Sequence, residues 1–492
     1  MPDPSATAPD PASRLPDEHT LARSLGHGQM AMIAMGSALG TGLFLGSGGA
    51  IALAGPAVIV CFAAGSLIAA CIALCMGEMA SRHPVRGGFG TLAAHYLSPF
   101  WGYLTRWLYW IVTVAVTGTE LVACAAYLQY WAPKDAAGQP VLDLWVGILI
   151  FAAIILVINV TSVGSFGAIE FVLSSIKVIA VLLFILVGLF LVFFGLPSAP
   201  APGLANLTAD GGFAPNGWGA VWVAMWVVMF SFGGIELLSV TAAEAKDPST
   251  SIRTAARTTV IRLAFFYILA ITVVVALVPW KVASGTGDDL QMSPFVMVFD
   301  RLGVPGAASI TNLLVLIAAL SAANANLYAG SRMLQSLATD GMAPRFFRTL
   351  SARRVPSRAI LVSSAGIVLA AVLAFTGVAG VFGYMMSLVM FSVLLVWALI
   401  LITYVVYHRR RDGLEVFRAP GGVVTAVVGL VGVIAVFATV AVVPEMRLAA
   451  MVGVPAVLVA VVLYLTVVRR RMDVSAIEEA FAEADAMRTR GA

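Results

Sequence analysis

Apolar residues run along this chain in long unbroken blocks, with neither the one-sided period of a surface helix nor the alternation of a strand. Twelve blocks approach or exceed the roughly 20 residues a helix needs to cross a bilayer. Their limits are 28–53, 57–80, 99–129, 143–162, 167–196, 217–242, 258–279, 306–335, 358–377, 380–407, 421–443 and 449–468. Polar and charged residues collect in the connections. The pattern predicts an all-α polytopic membrane protein with twelve transmembrane helices.

Two blocks are interrupted at their centres. The first reads Met35-Gly36-Ser37-Ala38-Leu39-Gly40-Thr41-Gly42-Leu43-Phe44, and the sixth reads Met229-Phe230-Ser231-Phe232-Gly233-Gly234-Ile235-Glu236. Five blocks separate the two positions, so blocks 1–5 and 6–10 are expected to be two copies of one unit, and an odd number of crossings inverts the second copy. The expected layout is a tail at 1–27, a first five-helix repeat at 28–196 and an inverted second at 217–407. Helices 11 and 12 follow at 408–472, then a tail at 473–492.

A broken helix at membrane depth leaves backbone groups that lipid cannot satisfy, so it must face protein or a water-filled cavity. In the first block the outer half-helix begins near Thr41, where free N–H groups and the helix dipole suit a carboxylate. The inner half ends near Ala38 with a free carbonyl for an ammonium. The outer half of the sixth block ends near Phe230 to Gly233, also with carbonyls at the midplane. One ligand carrying a carboxylate and an ammonium a few ångströms apart satisfies both sets, and that ligand is an amino acid. The competing reading is close packing: Gly36-x3-Gly40 and Gly42-x3-Gly46 are also small-residue motifs for helix contact. A second glycine pair, Gly233-Gly234, beside an intramembrane Glu236 favours the binding reading.

Charge inside the blocks is rare and therefore informative. Lys177 lies about eleven residues inside 166–196, roughly 16 Å from its nearer end, where an ammonium costs several kcal/mol. It must face water, find an acidic or carbonyl partner, or lose its proton. Glu120 and Glu236 are likewise deep, and together with Lys177 they are the candidates for proton coupling. Glu170, near the inner end of its block, is expected to be solvated. Glu78 is expected to pair with an arginine at the inner surface. Ser321, Asn324, Asn326, Tyr328, Tyr384 and Ser387 are further candidates to line a cavity.

Between the blocks, Lys and Arg are strongly asymmetric. With the N-terminus inside, the outer side holds only Lys134, Lys281, Arg301 and Arg447. The inner side holds Arg82, Arg86, Lys246, Arg253, Arg257, Arg345, Arg348, Arg353, Arg354, Arg409 to Arg411 and Arg469 to Arg471. The positive-inside rule then places both termini in the cytoplasm. The arginine runs abut block ends as topological anchors, so no nucleic-acid partner is expected. Residues 1–27 lack the basic start and apolar run of a signal peptide.

Composition agrees with a membrane protein. Hydrophobic residues make up 60% of 492 positions and charged ones 11%, against about a quarter charged in soluble chains. The net charge is +4, and mean hydropathy is +0.97. Cys61, Cys71, Cys75 and Cys124 read as packing residues, with no disulfide, metal site or cofactor expected. No HExxH, G-x-S-x-G or phosphate loop points to an enzyme, and the five histidines fall in tails or at block ends.

These motifs resemble the amino acid–polyamine–organocation superfamily, and within it the bacterial amino acid permeases, over residues 20 to 470. The resemblance rests on Gly40-Thr41-Gly42-Leu43-Phe44-Leu45-Gly46, Ala54-Gly55-Pro56 and Gly77-Glu78-Met79. It continues in Glu170-Phe171, Ile176-Lys177-Val178 and Phe230 to Glu236 with Ala242-Ala243-Glu244. Ser331-Arg332-Met333-Leu334 and Gly341-Met342-Ala343-Pro344 complete it. It implies a five-plus-five inverted repeat with two added helices and alternating access in the plasma membrane. It also implies a substrate carboxylate at Thr41 and Gly42, an amine at the carbonyls of Ala38, Phe230 and Gly233, and Phe230 stacked over the substrate. Lys177 resembles the lysine that replaces a sodium ion in proton-coupled relatives. Proton symport is the expected mode. Amino acid exchange and a permease for 4-aminobutyrate or another amine are the alternatives. Substrate identity and oligomeric state are not specified by these motifs.

Overall fold

The computed structural model describes residues 39–491 apart from 137, 162, 196–199, 238, 240–247, 285–292, 302, 304, 353–354 and 412–416. Among the described residues the chain is helical, with an isolated bridge between Lys134 and Pro140. The helices used below are α1 (Ser47–Ala54), α2 (Val58–Arg82), α3 (Gly88–Tyr96), α4 (Pro99–Gln129) and α5 (Leu144–Thr161). They continue with α6 (Val163–Phe194), α7 (Gly217–Phe230), α8 (Pro248–Leu277), α9 (Pro294–Arg301) and α10 (Ala307–Thr339). The last are α11 (Ala365–Phe375), α12 (Val381–Arg410), α13 (Val423–Phe437), α14 (Pro444–Leu463) and α15 (Val474–Gly491).

Eight stretches of helix are long and apolar enough to cross a membrane, and three shorter apolar helices lie at Leu144–Val160, Gly217–Phe230 and Ala264–Leu277. The first stretch, Gly42–Arg82, has 41 residues, about twice what one crossing needs. Gly55, at φ 61°, and Pro56 break it into α1 and α2, so it is two helices and not one long one. Most helix ends fall within a few residues of the apolar limits. The larger differences are α8, which starts ten residues before its apolar block, and the block at 358–377, which is split by a turn at Ser364.

α4 and α12 form the centre: 78% of the apolar window of each is buried, against 28% for Val423–Ala441 and 11% for Pro444–Arg471. The last two helices are therefore peripheral and present their apolar side chains to lipid. α4 packs along α10, α12 and α11. Its crossing with α11 is a backbone-to-backbone contact. A Cβ on Gly366 would collide with the Val114 carbonyl, and one on Gly118 with the Gly366 carbonyl. Small residues permit this approach where water provides no driving force between helices.

The C-terminal segment, expected as a tail, forms α15 and docks on α3. Phe481 is buried, stacked on His95 at 4.0 Å between ring centroids, and it contacts His83 and Tyr96. Glu78 at the end of α2 is fully buried. It lies 3.8 Å from Arg411, as the sequence predicts, and also accepts hydrogen bonds from the Tyr404 hydroxyl (2.5 Å) and the Ala419 N–H (2.7 Å).

Because the α4–α11 contact is made by backbone atoms that cannot rotate away, Gly366→Val is expected to destabilise the protein by at least the roughly 1–3 kcal/mol typical of overpacking. Gly49→Ala, with nothing within 4 Å of its added methyl, should not. Thermal unfolding in detergent checks this, and equal melting of the two variants would refute the tight crossing.

Candidate substrate site

The described chain enters the first break at Leu39, passes Gly40 and Thr41, and becomes a widened helical turn over Gly42–Gly46 before α1. The Thr41 N–H has no helical acceptor and donates to both carboxylate oxygens of Glu120, each at 3.2 Å. Glu120 reaches it from α4, the most central helix, and is 3% exposed. Gly40 allows the approach, since a Cβ there would stand 2.5 Å from Glu120 Oε1.

The second break follows α7. The N–H groups of Ser231, Phe232 and Gly233 bond back to the carbonyls of Val228, Met229 and Phe230 in tightened turns. Gly234 then takes φ +99°, a conformation L side chains rarely adopt. Its N–H donates to Glu236 Oε1 at 3.2 Å, and the Trp397 indole N–H on α12 donates to Oε2 at 3.2 Å. Each break therefore has a buried carboxylate on an amide freed by it. The breaks also touch: a Cβ on Gly42 would meet Ser231 Cα at 2.5 Å and its N at 2.7 Å.

Between them lies a cavity lined by Gly40, Gly42, Glu120, Phe230, Gly233, Gly234, Glu236 and Asn326. Val112 and Val116 of α4 and Val389, Met390 and Val393 of α12 complete it as an apolar wall. Its volume is about 20 Å³, and one water needs about 10–15 Å³. An amino acid enters only if the wall moves. Phe230, 6% exposed and packed edge-on against Phe382 at 6.2 Å, is one side chain that must do so. The Ser231 hydroxyl is buried at the contact between the breaks with no hydrogen-bond partner among the described residues.

Lys177 is on α6, outside the cavity lining and fully buried. Its amine stands 4.0 Å from Glu170 Oε1. Glu170, expected at a solvated end, is 0% exposed. It accepts hydrogen bonds from Ser174 (3.0 Å), Ser321 (2.5 Å) and, on its other oxygen, Asn324 (3.5 Å). Asn324 in turn accepts one from Asn159 at 2.7 Å. The helix continues past Glu170 to Val163, and α10 covers it, so a residue near the end of an apolar block is not at a surface.

Seven of the ten predicted site residues line the cavity, and Thr41 is bonded to one of them. Lys177 sits in a neighbouring polar network, and Ala38 lies outside the described residues. The Phe230 carbonyl, expected to be free, already accepts the Gly233 N–H at 3.1 Å. Of the polar candidates, Asn326 faces the cavity, Ser321 and Asn324 serve Glu170, Tyr328 stacks on Arg332, and Tyr384 is 37% exposed. Glu170 as a partner for Lys177, and Trp397 as a partner for Glu236, were missed. A carboxylate seven residues before a buried lysine, two turns along one helix face, was the available signal for the first.

Two irregular glycine-rich segments, each running into or out of a helix, meet at a buried cavity in a multi-pass helical protein, an arrangement that suits a transporter. The sequence profile described as "Amino acid permease" matches residues 29–476, and the chain belongs to the amino acid permease family. It is 38% identical over 392 residues to the aromatic amino acid transport protein AroP of Salmonella typhimurium (strain SL1344) and to that of Escherichia coli (strain K12). Each match covers 80% of this chain and 83% of the relative.

Glu120→Ala should leave the Thr41 amide buried and unsatisfied, at a cost of about 1–3 kcal/mol. Glu120→Gln keeps one acceptor and should cost less. Melting temperatures of the two variants in detergent decide this, and indistinguishable values would mean the amide is satisfied by another group. Gly42→Val would drive the two breaks apart as well as block a ligand, so Thr41→Ala, which keeps the amide, is the cleaner binding variant, with a modest loss expected.

Proposed function

We propose that this protein imports an amino acid across the plasma membrane by proton symport with alternating access. In this reading the chain makes twelve crossings in a five-plus-five inverted repeat with two further helices, and both termini are cytoplasmic. The observation that carries it is the meeting of the segments at 40–42 and 231–236 at a buried cavity, with carboxylates on the Thr41 and Gly234 amides. A zwitterion is the ligand whose two charges match the same backbone groups. Its carboxylate takes the Thr41 and Gly42 amides once Glu120 moves away, and its amine lies among Glu120, Glu236 and the carbonyls of the breaks.

Aromatic amino acids are the substrate class we propose. The valine and methionine wall of α4 and α12 and the ring of Phe230 offer an apolar surface for a large flat side chain. The glycines at 233 and 234 leave room beside it. The relatives, named as aromatic amino acid transport proteins, agree with this choice.

Lys177 carries the coupling in this proposal. Its network joins α6 to α5 and α10 beside the first break, so gain or loss of a proton there changes which arrangement of those helices is stable. Lys177→Ala leaves Glu170 buried without its cation, a change of about 3–5 kcal/mol for a broken buried pair. It should express poorly. Lys177→Met with Glu170→Gln removes both charges and should recover expression, yet fail to accumulate substrate against its gradient.

The deciding experiment is uptake of a panel of labelled amino acids into proteoliposomes with and without an inward proton gradient. Phenylalanine, tyrosine or tryptophan should accumulate only with the gradient, and Phe230→Ala should impair this without loss of folded protein. Uptake that requires internal amino acid and ignores the gradient would instead establish an exchanger. Accumulation by the Lys177→Met/Glu170→Gln variant equal to the parent would exclude the coupling role.

A further inference from the structure

A second cavity, of about 910 Å³, lies at the arginine-rich end of the helices, between the start of α4, the loop after α10 and the end of the last span. Its rim carries Arg345, Arg470 and Arg471, all exposed. None of the three makes an ion pair among the described residues, whereas Arg86, Arg106 and Arg411 on the same side each have a carboxylate. Its floor is apolar: Leu463 and Val467 are 47% and 39% exposed there. Tyr103 and Trp107 line it as well, and such amphipathic rings are enriched at membrane–water interfaces. The Trp107 indole N–H also holds the loop, donating to the Met342 carbonyl at 3.3 Å.

We propose that this cavity binds an anionic phospholipid of the adjoining leaflet. Its phosphate lies among Arg345, Arg470 and Arg471, and its acyl chains run along Leu463 and Val467. Guanidinium groups match phosphate oxygens in a two-point fork. An apolar floor continuous with a charged rim fits one molecule that has both characters, and a soluble anion would leave the floor uncovered. The neighbouring acidic side chains, Asp340 and Asp473, do not line the cavity.

The position of the site gives the lipid a consequence. The loop it grips begins at Asp340, whose carboxylate is clamped by Arg86 (3.2 Å) and the fully buried Arg106. Arg106 also holds Thr91 of α3 at 2.6 Å. The Asp473 N–H, two residues after Arg471, bonds the Asp340 carbonyl at 3.2 Å. A bound lipid therefore ties α4, α10 and the last span together beside the ion cluster that closes this end. The inference does not depend on which substrate is carried.

The test uses purified full-length protein and native mass spectrometry with phosphatidylglycerol and phosphatidylcholine. The parent should retain phosphatidylglycerol preferentially. Arg345→Gln/Arg470→Gln/Arg471→Gln should weaken that retention about 100-fold, at about fivefold per basic residue, with phosphatidylcholine unchanged. Arg470→Lys/Arg471→Lys should fall between, because charge stays while the fork is lost. Retention by the triple variant equal to the parent would overturn the proposal. A thermal-shift arm on the parent alone guards against poor expression of the variants: phosphatidylglycerol should raise the melting temperature. Equal protection by glycerol 3-phosphate or inorganic phosphate, or no preference over phosphatidylcholine, would overturn the lipid assignment.

Discussion

Lipid offers no hydrogen bonds, and the rest of this structure depends on how the chain meets that constraint at its two breaks. A helix interrupted at the bilayer centre must find partners for the freed amides within the protein. Here they are carboxylates, Glu120 for Thr41 and Glu236 for Gly234. Each carboxylate needs its own support: Glu120 comes from the central helix α4, and Glu236 is held by Trp397 of the other central helix, α12. The most buried helices are therefore also the ones that keep the breaks intact. Glycines at 40 and 42 bring these groups close enough to bond, and no side chain fits at either position without displacing a neighbour.

The same arrangement joins two readings of the glycine motifs that look like alternatives in the sequence. Gly42 is a packing residue, since it lies against the Ser231 backbone, and it also lines the cavity. Gly46, one turn further, fits the packing motif but has only ordinary contacts at 3.7 Å. One close approach, confined to the break itself, thus both packs the two segments and shapes the cavity.

How much of this was legible follows from what each kind of signal measures. Block length and hydropathy depend on single residues, so α4, α5, α10 and α12 fall close to their predicted limits. The two breaks were visible because closely spaced glycines fall there beside polar residues, whereas single glycines inside helices, such as Gly118 and Gly366, mark close packing. Partnerships were less legible because they depend on which helices touch. Glu170 sits near the end of its apolar block, and only the packing of α10 against α6 shows it buried among Ser174, Ser321 and Asn324. Trp397 reads as one more apolar residue until the fold places its indole on Glu236. The docking of α15 was hidden for a related reason: a buried stripe of only Ile477, Phe481 and Ala484 in an otherwise polar helix carries little hydropathic signal.

Two charged clusters now stand at different depths, and their construction differs in a way that bears on movement. On α6 Lys177 and Glu170 are 4.0 Å apart, and the four polar side chains around them, Ser174, Ser321, Asn324 and Asn159, have hydroxyl or amide groups that can turn. Such a network can keep every group satisfied in more than one arrangement, as the proposed coupling role would require. At the arginine-rich end, Asp340 is gripped by two guanidinium groups with fixed fork geometry, one of them wholly buried, and the backbone of Asp473 adds a further bond. Breaking that cluster means separating all of its members at once, and water must enter to replace them. The first network suits small, reversible adjustment, the second an all-or-none opening. The alternating-access cycle proposed above would draw on both, the adjustable network for the proton and the Asp340 cluster as a latch.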